Sequence, residues 1–351
     1  WKYSEKLNDW CEQTYIKKLD PRQAKLRSLK GFFYRQPLTL PYYYNSSMSQ
    51  WVTNITNNEQ IDHMLIYSSS MAQYILDQKF VSKNRIIDFV DVDSDKWRQY
   101  AEKKPWPMNW LYSREATYLL NFEKKVAATL DASFFVSSHE AEHFRQLAPE
   151  SAGKIHYYSN GVDLEKFDPA LEFETPFHAG VQQIVFTGAM DYWPNEDAVT
   201  WFAQKILPLI QQQSPEARFH IVGSRPSEKV LKLGDIEGVS VTGSVDDVRP
   251  YIKYATLVVA PMQIARGIQN KVLEAMAMAK PIVVTTMGLE GINARHGKEI
   301  LIADDAGGFI GEITGLFKSG IGSALGEAAR EKVCKDFSWD NTLKKFDQWI
   351  I

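Results

Sequence analysis

The chain has 351 residues, of which 44% are hydrophobic and 24% charged, a composition typical of a soluble globular protein with room for two domains. Its formal net charge of -3 argues against nucleic acid as the main partner, because phosphate binding needs a basic surface. Two cysteines, Cys11 and Cys334, exclude a disulfide framework and fit a reducing compartment. No apolar run reaches the roughly 18 residues of a membrane-spanning helix, so we expect a cytoplasmic protein.

Residues 17–35 (KKLDPRQAKLRSLKGFFYR) hold seven basic residues and one acidic residue, interleaved with Leu26, Leu29, Phe32 and Phe33. One interpretation is a solvated helix whose apolar stripe faces the core. The other is a patch that rests on anionic lipid or holds an anionic acceptor. The second interpretation predicts peripheral association with the inner face of a membrane.

Short apolar runs rich in β-branched and aromatic residues alternate with segments long enough for crossover helices, such as 109–130. This alternation predicts parallel α/β sheets. The predicted strands are residues 13–19, 63–69, 85–92, 132–138, 154–161, 182–189, 218–223, 239–243, 255–261, 280–286 and 299–304.

The predicted fold is therefore two doubly wound domains that face a cleft. Residues 1–168 form the first domain, 169–180 an aperiodic linker, and 181–335 the second domain. Residues 336–351 form a C-terminal helix that packs back toward the first domain. Ligands in such sheets sit at the carboxyl ends of the strands.

The stretch RGIQNKVLEAMAMAK predicts a helix over residues 270–280, with Asn270 as N-cap after the permissive Gly267. Arg266 and Lys271 stand at its start, where the positive end of the helix dipole disfavours cations. A bound diphosphate would make both charges favourable, and Glu274 could accept hydrogen bonds from ribose hydroxyls. The alternative is that both cations simply face solvent.

Residues 91–95 (DVDSD) follow an apolar strand and allow three interpretations. They are an Asp-x-Asp or Ca²⁺-type metal site, a helix cap, or an acidic cluster in which Asp91 or Asp93 supplies a base or orienting group for the acceptor. We favour the third and expect no metal. HEAEH, residues 139–143, has zinc-protease spacing, but a capping box of Ser137 with Glu140 explains its glutamate. Trp97, Trp106, Trp110 and Tyr112 are either a sugar platform or core, and residues 67–71 (YSSSM) either line the acceptor site or form a turn.

NKVLEAMAMAKPIVVTTMGLEGI and SNGVDLEKFDP resemble motifs of the family-four retaining glycosyltransferases, which have the GT-B fold. FTGAMDYWPNEDAVTWF and RIIDFVDVDSDKW resemble a subgroup, the sugar transferases of exopolysaccharide loci linked to the PEP-CTERM/exosortase system. The resemblance covers nearly the whole chain, and it implies that residues 1–168 are the acceptor-binding domain and residues 181–335 the nucleotide-sugar-binding domain. That family usually starts with a Gly-rich βαβ unit, which we expect this first domain to lack.

The resemblance implies a hexosyltransferase that moves a sugar from a UDP- or GDP-linked donor to a glycan or lipid-linked acceptor, with no cofactor. Glu274 matches the family's ribose-binding glutamate, and Arg266 stands where a sugar-contacting glutamate is expected. Protein cations, Arg266 and Lys271, would stabilise the leaving diphosphate. The full set of implied donor-binding residues is Gly188, Arg225, Val245, Gly267, Gln269, Asn270, Lys271 and Glu274. The alternatives are an NDP-sugar epimerase of the same fold and a non-enzymatic two-domain sugar-binding protein.

Overall fold

A computed structural model of the chain describes residues 7–76, 82, 84–102, 104–178, 180–265 and 267–350. The chain forms two compact units. The first comprises the chain up to Tyr158 together with the residues from Phe346 onward, and the second comprises Ser159–Lys345. The division falls ten residues before the predicted boundary at 168. The intervening segment lies in the second unit because Val162 pairs with Ser338 and Phe167 is buried in that unit's core.

The first unit combines four parallel strands with helices. Its helices are α1 (Pro21–Ser28), α2 (Lys30–Phe33), α3 (Thr39–Tyr43), α4 (Ser46–Asn58), α5 (Asp93–Glu102), α6 (Met108–Thr129) and α7 (Ser138–Leu147), with 3₁₀ turns at Ser69–Tyr74 and Pro149–Lys154. Its strands are β1 (His63–Tyr67), β2 (Asn84–Val90), β3 (Ala132–Phe135) and β4 (Ile155–Tyr157), in the order β1-β2-β3-β4.

Four of the five strands predicted for this half are confirmed, and the strand at 13–19 is wrong. Residues 14–20 have no regular structure, and Ile16 is 42% exposed. Tyr15 instead stacks on Trp51 of α4, with ring centroids 5.6 Å apart. A β-favouring sequence forms a strand only where a neighbouring strand supplies its hydrogen bonds, and this segment has no such neighbour among the described residues.

The large apolar side chains Leu26, Leu29 and Phe33 do not face the core, so the interpretation as a core-facing stripe is wrong. Leu26 is 72% exposed, Leu29 49% and Phe33 85%. Helix α1 is only eight residues long and turns its Ala24 face inward. Arg27 fixes it there by donating hydrogen bonds to the carbonyls of residues 41 and 42. An apolar and basic surface is therefore open to solvent.

The second unit is built on a six-stranded parallel sheet. Its strands are β5 (Gln183–Thr187), β6 (Arg218–Val222), β7 (Val239–Gly243), β8 (Leu257–Ala260), β9 (Ile282–Val284) and β10 (Leu301–Ile302). Its helices are α8 (Trp193–Trp201), α9 (Leu207–Gln213), α10 (Glu228–Leu231), α11 (Arg249–Tyr254), α12 (Asn270–Ala277), α13 (Ala306–Ser319), α14 (Gly322–Asp336) and α15 (Trp339–Ile350), the last of which ends in the first unit. A π-helical turn joins α8 to α9 at Phe202–Ile206, and 3₁₀ turns lie at Lys232–Asp235 and Met287–Leu289.

The strand order β10-β9-β8-β5-β6-β7 places β5 in the middle of the sheet. The chain runs from β5 outward to β7, then returns to the other side of β5 and runs outward again. All six strands predicted here are confirmed. The order reverses between β5 and β8, and the crevice at the carboxyl ends of such strands is where doubly wound sheets bind ligands.

Phe346, in the last helix, completes the core of the first unit. It is 7% exposed, stacks on Phe134 at 4.3 Å between centroids, and meets the edge of Tyr158 at 4.7 Å. We predict that Phe346→Ala lowers the free energy of unfolding by about 3 kcal/mol, because it leaves a cavity against β3. Urea denaturation measures this.

Leu343→Ala is the matched control on the same helix, since Leu343 is 44% exposed. It should change the free energy by less than about 0.5 kcal/mol. Equal effects of the two substitutions would contradict the packing described for Phe346.

Candidate functional site

A cavity of about 530 Å³ lies where β5, β6 and β7 end and α12 begins. Six of the residues that the sequence predicts for donor binding line it, namely Gly188, Val245, Gln269, Asn270, Lys271 and Glu274. Thr187, Gly223, Ser224 and Ser244 add polar atoms and main chain. The cavity therefore occupies the switch point of the sheet, in the second unit alone.

One wall of this cavity is main chain held at close range. A Cβ on Gly223 would lie 1.7 Å from the carbonyl oxygen of Gly188, so no side chain fits there. A Cβ on Gly188 would lie 2.8 Å from Nδ2, the side-chain amide nitrogen, of Asn195. The loops after β5 and β6 thus present backbone to a ligand. Sequence analysis missed Gly223, although a glycine at the end of the apolar run RFHIV was a visible signal.

The N-terminus of α12 opens onto the cavity. Gln269 is its N-cap, so the prediction of Asn270 in that role is wrong by one residue. No side chain in the described ranges caps this end of the helix. Asn270 is the first helical residue, and its side-chain oxygen accepts a hydrogen bond from Asn160 at 3.1 Å. The first N–H groups of the helix are available to an anion.

Lys271 is buried, with 9% of its surface exposed, so the alternative that it faces solvent is wrong. Its ammonium donates a hydrogen bond to Asn195 Oδ1 at 2.5 Å and lies 4.5 Å from the centre of the Phe186 ring. Burial lowers the pKa of Lys271 to about 8, although the charge of Glu274 opposes the shift. The ammonium is thus desolvated and only partly compensated.

Glu274 lies one turn further along the helix and also lines the cavity. Burial raises its pKa to about 7, against the opposing charges of Lys166 and Lys271. Two adjacent groups that both change protonation near neutral pH are typical of a functional site.

Two predicted residues that the structure describes, Arg225 and Gly267, are not in the lining of this cavity. Arg225 is 70% exposed and forms an ion pair with Asp191 at 3.1 Å. Gly267 has a left-handed φ of 63° and donates its N–H to Glu290 at 3.1 Å. Arg266 lies outside the described residues. Their roles in donor binding stay predictions.

A second cavity, of about 570 Å³, lies in the first unit at the ends of β1 and β2. Asp93 lines it, accepts a hydrogen bond from Ser69 at 2.9 Å, and lies 3.3 Å from the ammonium of Lys96. Asp91 is not in the lining but pairs with Lys96 at 2.7 Å. Burial acts to lower the pKa of Lys96, but these two carboxylates outweigh it and hold that pKa above its usual value.

Residues 67–71 contribute Tyr67, Ser68, Ser70 and Met71 to this cavity, as one interpretation of YSSSM expects. Ser68 has a φ of 68° and Val90, at the end of β2, a φ of 71°. Left-handed conformations are costly for such side chains and concentrate at functional sites.

The aromatic residues at positions 97, 106, 110 and 112 do not share one environment. Trp97 lines the cavity of the first unit and packs against Tyr112, with centroids 5.2 Å apart. Trp106 is 80% exposed and Trp110 is 56% exposed, so neither is core.

The described residues contain no group of three or more His, Cys, Asp or Glu side chains arranged to hold a metal ion. In residues 91–95 the carboxylates have cationic neighbours instead, since Asp95 pairs with Arg98 at 2.7 Å. In HEAEH, Ser137 caps α7 as predicted, accepting from the N–H of Glu140. The Glu140 carboxylate accepts from the N–H of Val92 at 2.9 Å, which gives it a structural role.

Sequence reasoning missed three side chains that shape the second unit's cavity. Asn195 orients Lys271 and donates to the carbonyl of Ala189 at 2.9 Å. Asn160 contacts Asn270, and Lys166 acts on Glu274 electrostatically. Asn160 and Asn195 lie in the quoted SNGVD and GAMDYWPN segments, but only the fold shows which side chain turns inward.

Comparison with known proteins matches residues 181–319 to the family described as "Glycosyl transferases group 1". A curated relative, "Uncharacterized 44.6 kDa protein in cps region" of Klebsiella pneumoniae, is 24% identical over 259 residues. That match covers 71% of this chain and 63% of the relative, so the chain spans less than two thirds of it.

Solved structures resemble most of the chain at low sequence identity. Anabaena Alr3699/HepE in complex with UDP-glucose has a TM-score of 0.66 at 13% identity, covering 99% of this chain and 88% of that one. Sucrose-phosphate synthase from Thermosynechococcus elongatus has a TM-score of 0.63 at 17% identity, covering 88% and 76%. A glycosyltransferase from Rickettsia africae has a TM-score of 0.60 at 13% identity, covering 95% and 82%. The fold is GT-B, with two parallel-sheet α/β units.

The raised pKa of Glu274 has a consequence for stability. Its pKa is about 7 in the folded chain against 4.5 as the ordinary value, so the folded state holds the proton more tightly. The resulting stabilisation is complete below the lower pKa and is lost as pH rises through about 7. We predict that, between pH 5 and pH 7.5, the free energy of unfolding falls by about 2 kcal/mol more in the wild type than in Glu274→Gln. This figure allows for residual hydration of the Glu274 carboxylate.

Urea denaturation at several pH values measures this slope, and Glu237→Gln, at an exposed position of the second unit, is the control. An unchanged slope in Glu274→Gln would show that another group titrates.

Proposed function

We propose that this chain transfers a hexose from a UDP- or GDP-linked donor to a glycan or lipid-linked acceptor, with retention of configuration and without a metal. The observation that carries the proposal is the cavity of the second unit. It combines an uncapped helix N-terminus with the buried Lys271 and Glu274, inside the segment that matches the glycosyltransferase family.

The charges of this cavity suit a diphosphate leaving group. The N–H groups at the start of α12 and the ammonium of Lys271 would stabilise the negative charge that develops as the bond from the anomeric carbon to phosphate breaks. An adjacent diphosphate favours the charged form of Lys271, so its pKa should rise from about 8 on binding. Glu274, when ionised, accepts hydrogen bonds from the ribose hydroxyls.

Retention follows from the resemblance to the family-four enzymes. The acceptor hydroxyl attacks the anomeric carbon on the face that the diphosphate leaves, and its proton passes to a phosphate oxygen of the donor. Arg266, which replaces the sugar-contacting glutamate of that family, would add charge near the diphosphate. No metal is then required for charge compensation.

The acceptor side is assigned to the first unit. Asp93 faces its cavity of about 570 Å³ beside Lys96, with Trp97 and Tyr100 as aromatic surfaces for a sugar ring. Asp93 would orient the acceptor hydroxyl, and Asp91 would position Lys96 through their ion pair. An exopolysaccharide role is supported by the resemblance to that subgroup and by the cps-region relative.

A thermal-shift panel tests donor binding. UDP or GDP should raise the melting temperature by several degrees at concentrations far above the dissociation constant, because ligand binding stabilises the folded state. A periplasmic-type sugar-binding protein would respond to simple sugars and ignore nucleotides. An epimerase would interconvert NDP-sugars with no acceptor present, and NMR of the anomeric proton of a transfer product would decide between retention and inversion.

Substitutions test the roles of Lys271 and Glu274 in nucleotide binding and turnover. Lys271→Met and Glu274→Ala should each weaken nucleotide binding and lower kcat/KM at least about tenfold, the loss expected for one charge-assisted hydrogen bond. Lys232→Met and Glu237→Ala, at exposed positions of the same unit, should leave both values within twofold. Intact turnover in Lys271→Met and Glu274→Ala would refute the site assignment.

We also propose that residues 17–35 hold the enzyme at the inner, cytoplasmic face of the membrane. No helix among the described residues is long and apolar enough to cross a bilayer. The exposed Leu26, Leu29 and Phe33 stand among seven basic residues, a combination suited to an anionic lipid surface.

Vesicle sedimentation tests this attachment. The double variant Leu26→Ser, Phe33→Ser should bind phosphatidylglycerol vesicles at least about tenfold more weakly, because each exposed side chain contributes hydrophobic transfer energy. The control Leu231→Ser, Ile321→Ser changes side chains of the second unit that are 52% and 53% exposed. Equal binding of both double variants and the wild type would exclude residues 17–35 as the attachment.

A further inference from the structure

A third cavity, of about 670 Å³, lies in the first unit among α1, the turn after α2, α3 and α6. Its lining is positively charged. Four cationic side chains line it, namely Arg27, Lys30, Arg35 and Lys125. No carboxylate of the described part of the chain is in the lining. Leu26 and Phe33, which form the proposed membrane contact, are not in the lining.

Two of these four cations have no hydrogen-bond or ion-pair partner among the described residues. Arg27 is held rigidly, since Nε and Nη2 donate to the carbonyls of Pro41 and Tyr42 at 2.6 and 2.7 Å. The side chains of Lys30 and Arg35 form no hydrogen bond or ion pair with any described residue. Like charges gathered around one cavity repel each other, and a multivalent anion reverses that cost.

Arg35 is placed at this cavity by a strained backbone. Its φ of 49° is left-handed, a conformation that glycine adopts freely and arginine does not. Arg114 clamps the turn by donating to the carbonyls of Gly31 at 2.8 Å and Gln36 at 3.2 Å. Backbone strain of this kind concentrates at ligand-binding and catalytic sites.

The remaining lining groups suit a sugar. Tyr34, Tyr44, Gln73 and Asn121 supply hydroxyl and amide groups, and the volume falls in the range of about 300–1,000 Å³ typical of small-ligand sites. Four cations match a phosphate or diphosphate better than a single carboxylate, which carries one charge.

We propose that this cavity binds a phosphate monoester or diphosphate attached to a saccharide. The further step, that this ligand is the acceptor substrate, rests on the proposed function. Recognition of this phosphate would then hold the acceptor in the first unit, whereas the diphosphate of the donor would bind in the cavity of the second unit.

Isothermal titration with inorganic pyrophosphate tests the site, with every protein in a Lys271→Ala background to weaken binding at the second unit. Arg35→Gln should bind pyrophosphate at least about tenfold more weakly than the background protein, the effect of one charge-assisted contact. Arg22→Gln, which removes an exposed arginine of α1 outside the lining, should stay within twofold. Equal affinities for Arg35→Gln and Arg22→Gln would overturn the proposal.

Arg35→Gly separates ligand binding from folding. It should raise the melting temperature, since glycine relieves the left-handed strain, and still lose pyrophosphate affinity. A lowered melting temperature with unchanged affinity would mean that Arg35 serves only the fold. Because the readout is direct binding, these results hold whether or not UDP binds or sugar is transferred.

Competition identifies the source of the phosphate. Glucose 1-phosphate displacing pyrophosphate would indicate a soluble phosphorylated sugar, and farnesyl diphosphate in detergent micelles displacing it would indicate a lipid-linked acceptor. Displacement by neither would overturn the assignment of an organic phosphate ligand.

Discussion

The buried ammonium of Lys271 is the interaction on which the cavity of the second unit depends. It joins the first turn of α12 to the loop after β5 through Asn195, and the Phe186 ring lies on its other side. Burying an ammonium is costly, and the positive end of a helix adds to the cost. The Asn195 amide oxygen, the Phe186 ring, the Met262 sulfur at 3.8 Å and the charge of Glu274 offset only part of it, and burial lowers the pKa of Lys271. The protein's own groups therefore compensate this charge only in part, and a bound anion would stabilise it further.

The strands could be predicted because Val, Ile and Phe runs alternate with helical segments, and the six strands of the second unit all appear where the pattern indicates. Residues 13–19 have the same local preference but lack a partner strand, which no local pattern reveals. The helix start was misplaced by one residue because Gln269 adopts the extended cap geometry although asparagine is the more common cap. Hydrophobic periodicity also failed for Leu26 and Phe33, because exposure depends on what packs against a helix.

The candidate site was predictable where main chain or helix position decides it, as with Gly188, Asn270 and Glu274. It was not predictable where the direction of a long side chain decides whether that residue lines the cavity. Lys271 turns inward to Asn195, while Arg225 turns outward to Asp191. Each is a cation a few residues after a glycine, and the sequence alone does not show which of the two side chains is buried. The cavities of the first unit raise the same difficulty, since strain at Ser68, Val90 and Arg35 is visible only in the folded backbone.

The close approach of Gly223 to Gly188 limits how the ligand preference of the second unit's cavity can change. The wall formed by the ends of β5 and β6 offers main-chain atoms, which are the same for every amino acid, and no larger residue can be accepted at position 223. Selection therefore has little to act on there. A change in the ligand that this cavity accepts would have to come from other lining residues, such as Val245 or Gln269, while the two glycines stay fixed.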